Sequence, residues 1–167
     1  MSAGAVRATT DLETRATHAD HEALRLWLRL LATTNVLEAL VRGRLQSQFG
    51  TTLARFDYLA QLERAGEGLR MRELSERLMV TGGNVTGLTD ALVQDGMVTR
   101  ETDDDDRRVC RVRLTAVGRR SFRAMASEHE TWIIDACSAL GSRELAQLKD
   151  LLGRIKERVH TITQGLA

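Results

Sequence analysis

One short segment of the chain carries side chains suited to contact nucleic acid. The Asn84 amide can form a pair of hydrogen bonds with the edge of an adenine, and Thr86 can contact a phosphate or a thymine methyl group. Thr81, Gly82 and Gly83 precede them, and small residues at a helix start let backbone N–H groups come close to phosphate oxygens. The segment predicts base and phosphate contacts; the alternative is that the glycines only make a frayed helix start.

The segment lies in the second of two short predicted helices. Apolar residues spaced three and four apart predict one helix at about 71–78 and another at 81–96, the pattern of a helix-turn-helix. In the second helix Val85, Leu88 and Leu92 are predicted to point inward. The outer side of that helix is then formed by Gly83, Asn84, Thr86, Gly87 and Asp90.

An alternating pattern follows the two helices. Apolar and polar residues alternate in 97–100 and 109–114, which predicts a β-hairpin with Asp103–Asp106 at its tip. Adjacent carboxylates would be repelled by phosphate groups. They neither alternate with other residues nor precede a turn glycine, as the carboxylates of a calcium loop do, so a metal site at the tip is not favoured.

Long helices flank this unit. The helix predicted at 20–50 is apolar on two sides, and heptad-like stripes run through the C-terminal part of the chain. One stripe consists of Phe122, Ala126, His129, Ile133, Ala136 and Leu140, and the other of Leu145, Leu148, Leu152, Ile155, Val159 and Ile162. These stripes predict either dimerisation, which the surplus apolar surface of the first helix favours, or an intramolecular helical hairpin.

Composition excludes several classes of protein. The 167 residues include 43% hydrophobic and only 4% aromatic residues and no proline, which favours long helices over a β-sandwich or barrel. No segment resembles a membrane span or an export signal, and Cys110 and Cys137 are too few for a disulfide scaffold. We therefore expect a cytoplasmic protein without membrane contact. No catalytic or metal-ligand constellation is visible, so we predict neither an enzyme nor a cofactor or metal.

The near-neutral net charge of the chain does not result from a basic DNA-binding domain offset by acidic segments elsewhere. The chain has 24 Lys and Arg against 23 Asp and Glu, and residues 69–115 alone carry eight basic and nine acidic side chains. Such a balance predicts weak non-specific binding to DNA, with affinity supplied by a few placed arginines.

Three motifs together resemble a known family. They are LRMRELSERL at 69–78, DRR at 106–108, and Leu114-Thr115 followed by Gly118. In this order they resemble the MarR family of bacterial transcriptional regulators over about residues 20–165. The resemblance implies a homodimer in which each chain binds half of a pseudo-palindromic operator in double-stranded DNA.

The fold predicted on this basis is mainly α with a small β-hairpin wing, a winged helix-turn-helix flanked by dimerisation helices. Its parts are a mobile tail at 1–19, a dimerisation helix at 20–50, a DNA-binding domain at 51–115 and dimerisation helices at 116–167. Within the DNA-binding domain, the helix-turn-helix is expected at about 70–95 and the wing at 97–115.

The resemblance adds further DNA contacts. It places Arg107 and Arg108 where an arginine enters the minor groove, and Arg72 and Ser75 beside phosphates. The predicted DNA-contacting residues are Arg72, Ser75, Thr81, Gly82, Gly83, Asn84, Thr86, Gly87, Asp90, Arg107 and Arg108.

The resemblance also implies a small-molecule effector. Members of the family are commonly released from DNA by aromatic ligands, for which the lining here would be Trp27, Leu31, Asn35, Phe56 and Tyr58; each of these is equally explained as core. Residues 78–90 are similar to regulators of hydroxycinnamate catabolism, which implies an aroyl- or hydroxycinnamoyl-CoA thioester, with its phosphates held by Arg25, Arg29, Arg42 and Arg44. A free phenolic acid is the alternative effector. A helical dimeric interaction module without DNA binding is the alternative function.

Overall fold

The computed structural model describes residues 21–78, 82–102 and 110–165. The predicted tail at 1–19, Thr81, the acidic tip at 103–106, and Arg107 and Arg108 lie outside them. The elements are α1 (Glu22–Phe49), α2 (Leu53–Ala65), β1 (Leu69–Arg70), α3 (Met71–Leu78), α4 (Gly82–Gln94), β2 (Val98–Thr102), β3 (Cys110–Leu114), α5 (Ala116–Ala136) and α6 (Ser142–Gln164). The predicted fold class, mainly helical with a small β wing, is confirmed.

The chain divides into two compact units, one up to Ala54 and one from Arg55 onwards. The first contains α1, a helix of 28 residues that ends at Gly50. Gly50 has a φ of 60°, a left-handed conformation that glycine adopts without strain, and its N–H donates to the Gln46 carbonyl. Along α1 only Val41 and Leu45 are buried, whereas several large apolar side chains near its start are exposed.

The core of the second unit draws on α2, the short sheet, α3, α4 and α5. Its buried apolar side chains are Phe56, Tyr58, Leu59, Leu62, Leu69, Leu74, Val85, Leu92, Val98, Val112, Met125 and Trp132. None of the helices in the described ranges is long and apolar enough to cross a membrane.

The predicted hairpin is confirmed, and it gains a third strand. The strands β2 and β3 pair antiparallel, from Val98 opposite Leu114 to Thr102 opposite Cys110. On the other side of β3, Leu69 of β1 lies opposite Val112. The strand β1 is not predictable from the sequence, because two residues are too few to show an alternating pattern.

The Thr115–Gly118 motif closes the base of the wing. The Thr115 hydroxyl accepts a hydrogen bond from the Gly118 N–H at 2.9 Å and thereby caps the start of α5, and it donates to the Gly96 carbonyl at 2.7 Å. The backbone of α5 comes so close to the strand that a Cβ on Gly118 would lie 1.9 Å from the Met97 carbonyl oxygen. Both residues of the motif therefore have a structural role, in joining the wing to α5.

The line that α5 buries within the chain differs from the predicted stripe, whose end is corrected. The residues of α5 that are buried are Gly118, Met125 and Trp132, spaced seven apart, and none of them belongs to the predicted stripe. Phe122 and His129 flank this line and are half-buried. The predicted stripe also crossed a helix boundary: α5 ends at Ala136, so Leu140 lies in the following turn.

Helix α6 buries no side chain within the chain. The Glu144 carboxylate accepts a hydrogen bond from the Gly141 N–H at 2.8 Å and stabilises the helix start. The residues of the predicted stripe, Leu145, Leu148, Leu152, Ile155, Val159 and Ile162, are all 38–52% exposed. An apolar line of this length in contact with water is a surface that lacks its packing partner within the described chain.

Candidate nucleic-acid interface

Helix α4 has one buried face and one open face. Val85 and Leu92 are buried and Leu88 is half-buried, which confirms the predicted inward direction of these residues. Thr89 is also fully buried, and sequence analysis missed it because a threonine breaks the apolar pattern. The opposite, predicted outer face is exposed at Gly83, Asn84, Thr86, Gly87 and Asp90, as well as at Gly82.

A buried pair of hydroxyls attaches α4 to α2. The Thr89 hydroxyl donates to the Val85 carbonyl at 2.7 Å, so its remaining role toward the Tyr58 hydroxyl, 2.5 Å away, is that of acceptor. Burial is the main cause that raises the pKa of Tyr58 to about 12. The Tyr58 side chain is therefore a neutral hydrogen-bond donor in the core, and its bond to the Thr89 hydroxyl attaches α4 to α2.

The glycines on the open face of α4 have no packing reason to be glycine. Among the residues that the structure describes, a Cβ added at Gly82, Gly83 or Gly87 would meet nothing within 4 Å, and none of the three has a positive φ. Glycine costs about 1 kcal/mol relative to alanine in a helix interior. What the three glycines supply instead is an open backbone surface, to which another molecule can come closer than any side chain would allow.

The polar side chains of the open face differ in how they are held. The Thr86 hydroxyl donates to the Gly82 carbonyl at 3.0 Å, one turn back along the helix. The Asp90 carboxylate pairs with Arg100 of β2, with 2.6 Å between Oδ1 and Nη1. The Asn84 side chain lies on the exposed face, between Gly83 and the buried Val85.

The first helix of the motif, α3, is capped at its N-terminus. The Glu73 carboxylate accepts a hydrogen bond from the Arg70 N–H at 2.7 Å, which caps the helix. The Arg72 side chain is 90% exposed and its Nε lies 2.8 Å from Glu76 Oε1. Ser75 is half-buried and engaged in an interaction within the protein. Arg72 is thus accessible to a phosphate. Ser75 already has an interaction within the protein, so the predicted phosphate contact would have to form in addition to that interaction.

The residues predicted to bind an effector fall into two groups. In α1, Trp27, Leu31 and Asn35 are exposed. In the second unit, by contrast, Tyr58 is fully buried and Phe56 packs with its ring centroid 5.5 Å from Phe122 and 5.1 Å from His129. Phe56 and Tyr58 have core roles, and their contact with an effector stays a prediction.

The cations predicted to hold an effector's phosphates are arranged along α1. Arg25 pairs with Glu22 at 3.2 Å, and Arg42 approaches Glu38 at 3.8 Å. Arg29 and Arg44 have interactions of their own. A surface cavity of about 390 Å³ lies at the start of α1. Among the described residues, it is lined by Glu22, Arg25, Leu26 and Arg29. Two of the four predicted cations therefore share one depression.

Comparison with known proteins assigns a family to this architecture. A family profile described as "MarR family" matches residues 49–109. The transcriptional repressor YetL of Bacillus subtilis is 29% identical over 145 residues, which cover 84% of each chain. A MarR family transcriptional regulator from Silicibacter pomeroyi is 30% identical, with a TM-score of 0.71 over 84% of this chain and 96% of that one. The structure of FabT from Streptococcus pneumoniae in complex with DNA has the same fold, with a TM-score of 0.72 at 20% identity over 84% of this chain and 99% of that one.

The environment of Tyr58 predicts how the protein responds to alkali. Its raised pKa means that the unfolded chain, with the ordinary value of 10.0, loses the tyrosine proton first as the pH rises. The stability that the burial of the neutral side chain provides is present below pH 10 and is lost between about pH 10 and pH 12. Tyr58 is the one tyrosine of the chain, so the ultraviolet absorbance of tyrosinate reports its ionisation directly.

We expect that absorbance to rise near pH 12 in the folded protein and near pH 10 in urea. Folded protein that titrates near pH 10 would contradict a buried Tyr58.

Proposed function

We propose that this chain, a member of the MarR family of winged helix-turn-helix transcriptional regulators, is a homodimeric repressor that an aromatic small molecule releases from a pseudo-palindromic operator. The observation that carries the proposal is the open face of α4, where three glycines without internal packing surround Asn84 and Thr86. This face has the shape and chemistry that a major groove requires of a helix.

Each part of the open face has a role in DNA recognition. The amide of Asn84 donates to and accepts from the edge of an adenine, and Thr86 contacts a thymine methyl group or a phosphate. The backbone at Gly82 and Gly83 donates N–H groups to phosphate oxygens at the start of the helix. Arg72 of α3 reaches the phosphates beside the groove, and Arg107 and Arg108 of the wing reach the minor groove. FabT, which has the same fold, was crystallised with DNA, and this supports DNA binding by the fold, while the individual contacts are part of the proposal.

The apolar line on α6 supports dimerisation. Its six residues in heptad-like spacing are each more than a third exposed. Full burial of a leucine or isoleucine from water contributes about 1.5–3 kcal/mol, so completing the burial of each of these side chains contributes roughly half of that. A second copy of the chain presents the same line, so a two-fold axis would bury both at once. The dimer also doubles the DNA contacts, which a chain of net charge +1 needs for tight binding.

The DNA-binding proposal predicts selection of one palindromic sequence. Incubation of the purified protein with a library of random duplexes, followed by sequencing of the bound fraction, should enrich a two-fold symmetric site. Fluorescence anisotropy should then show nanomolar affinity for the enriched duplex at moderate salt and at least about a thousandfold weaker affinity for a scrambled duplex. Asn84→Ala should weaken binding to the enriched duplex by about 1–3 kcal/mol, because one base contact is lost.

Gln147→Ala is the matched control, because Gln147 is an exposed amide on α6, and it should bind as the wild type does. Without enrichment of any sequence, the proposal is wrong, and the alternative of a helical interaction module takes its place.

The dimer is tested by a charge placed in the apolar line. Leu152→Glu should convert a particle of twice the 18.6 kDa chain mass into one of a single chain mass in analytical ultracentrifugation, because a buried carboxylate without a partner opposes association. Gln147→Glu adds the same charge elsewhere on α6 and should leave the dimer intact. A Leu152→Glu protein of unchanged mass would place the dimer contact elsewhere.

For the effector we propose an aroyl- or hydroxycinnamoyl-CoA thioester, such as p-coumaroyl-CoA or feruloyl-CoA. The support is chemical: Arg25 and Arg29 share one surface depression on α1, and the exposed ring of Trp27 and the apolar Leu31 lie on the same helix. Arginine holds phosphate groups through paired hydrogen bonds, and an exposed indole offers a surface on which an aromatic acyl group can stack.

The effector proposal predicts release by thioesters. Added to the complex of protein and enriched duplex, p-coumaroyl-CoA and feruloyl-CoA should lower the anisotropy at micromolar concentrations, whereas the free acids should not. Arg29→Ala should raise the concentration needed by about tenfold, since one charged contact is lost. Val36→Ala, at another exposed position of α1, is the control and should change nothing. Release by the free acids alone would favour a phenolic acid as effector, and release by none of the four would reject both.

A further inference from the structure

Arg100 lies between the wing and α4. It stands two residues after the buried Val98 on β2, so both side chains leave the same face of the strand. That face is directed at α4, and the Arg100 side chain is 33% exposed. Arg100 was given no role from the sequence, because nothing in the alternating pattern distinguishes it from a solvated arginine of the wing.

The guanidinium group of Arg100 bridges two successive turns of α4. Its Nη1 lies 2.6 Å from Asp90 Oδ1, and its Nη2 donates to the Thr86 carbonyl at 3.5 Å. Thr86 and Asp90 are one turn apart on the open face, so the bridge lies along the edge of the candidate nucleic-acid interface. Arg100 thereby connects the first strand of the wing with the helix proposed to enter the major groove.

The ion pair between Arg100 and Asp90 explains how a carboxylate can lie on a face that is proposed to contact DNA. The Asp90 side chain is 58% exposed there, and an isolated carboxylate would be repelled by phosphates. Paired with Arg100, the carboxylate contributes no net charge to the interface. Asp90 was predicted from sequence as a DNA contact; the structure shows its pairing with Arg100, and its contact with DNA stays a prediction.

We propose that Arg100 is a positioning residue for sequence discrimination: its bridge to Asp90 and to the Thr86 carbonyl fixes the orientation of α4 relative to the wing. The proposal rests on the proposed function in DNA binding, and it concerns selectivity rather than affinity. A helix that can rotate or slide by a fraction of an ångström still contacts phosphates, but it loses the alignment that base recognition requires. Arginine suits this role because its planar group reaches two acceptors at fixed angles, which a lysine cannot do.

The test separates geometry from charge by using two single variants and their combination. Arg100→Gln removes one positive charge per chain, Asp90→Asn removes one negative charge, and the double variant has the net charge of the wild type. Each is measured by fluorescence anisotropy on the enriched duplex and on a scrambled duplex over a series of salt concentrations. Thermal unfolding of every variant is recorded, to establish that it is folded.

We expect Arg100→Gln to weaken binding to both duplexes and Asp90→Asn to strengthen binding to the scrambled one, because these changes alter the charge near phosphates. The double variant should bind the scrambled duplex as the wild type does, yet its ratio of affinities for the enriched and scrambled duplexes should fall by about tenfold. A merely structural role would lower the unfolding temperature and leave that ratio unchanged.

Other outcomes would overturn the proposal. A double variant that keeps the wild-type ratio within about twofold would show that the bridge does not position α4. A double variant with a shallower salt dependence on the scrambled duplex would make Arg100 a direct phosphate contact instead. A wild-type protein that binds neither duplex would refute the proposed function itself, and that result is distinct from a change in the ratio.

Discussion

The contact between Gly118 and the Met97 carbonyl is the constraint on which the arrangement of the second unit depends. Because no side chain fits between them, α5 starts directly against the residue that precedes β2. The Thr115 hydroxyl fixes the same place from the other side by bonding to Gly96, which ends α4 in a left-handed conformation with a φ of 68°. The end of α4, the base of the wing and the start of α5 are thus joined at one point. From that point α4 is held by Val85 and Leu92 in the core, by the hydroxyl pair of Thr89 and Tyr58, and by the contact with Arg100.

Sequence patterns predicted the elements of this fold well where a physical period repeats. The spacing of Val85 and Leu92 was enough to orient α4, and the alternation around Val112 was enough to identify the wing. The patterns failed where a polar residue takes a buried position: Thr89 is fully buried because its hydroxyl finds the Val85 carbonyl and Tyr58, and only three-dimensional structure shows such partners. Gly118 was identified from the sequence only as part of a motif, and its close contact with the Met97 carbonyl is visible only in the structure.

On α5 the apolar pattern is compatible with more than one line of residues. The line buried within the chain runs through Met125 and Trp132, whereas the predicted stripe lies beside it and its role in dimerisation stays a prediction. Only the placement of Leu140 on this helix was wrong, because α5 ends at Ala136. The open face of α4 was predicted correctly, but its contacts to DNA stay predictions. The pairing of Asp90 with Arg100 depends on a strand and a helix meeting, which local spacing does not encode.

The arginines of the second unit clarify how a nearly neutral chain distributes its charge. Glu63 of α2 holds both Arg119 and Arg123 of α5, at 2.8 Å and 3.0 Å, and Arg55 pairs with Asp95 at the end of α4. Arg113 of β3 lies 2.8 Å from Glu101 across the sheet. Several arginines of the described chain therefore join elements of the protein to one another. Their charge is balanced within the protein, which agrees with the weak non-specific binding to DNA expected from a net charge of +1.

The glycines of α4 also have a thermodynamic consequence. With three glycines in its first six residues, the helix gains little from its own backbone and depends on Val85, Thr89 and Leu92 to keep its shape. A partner that binds the open backbone must restrict whatever freedom the glycines retain, and the entropy lost in doing so is subtracted from the affinity. If that partner is DNA, as proposed, the glycines give an affinity below what the same contact area would give on a stiffer helix. A modest affinity of this kind needs a smaller opposing free energy to be overcome, which suits the release by an effector that we propose.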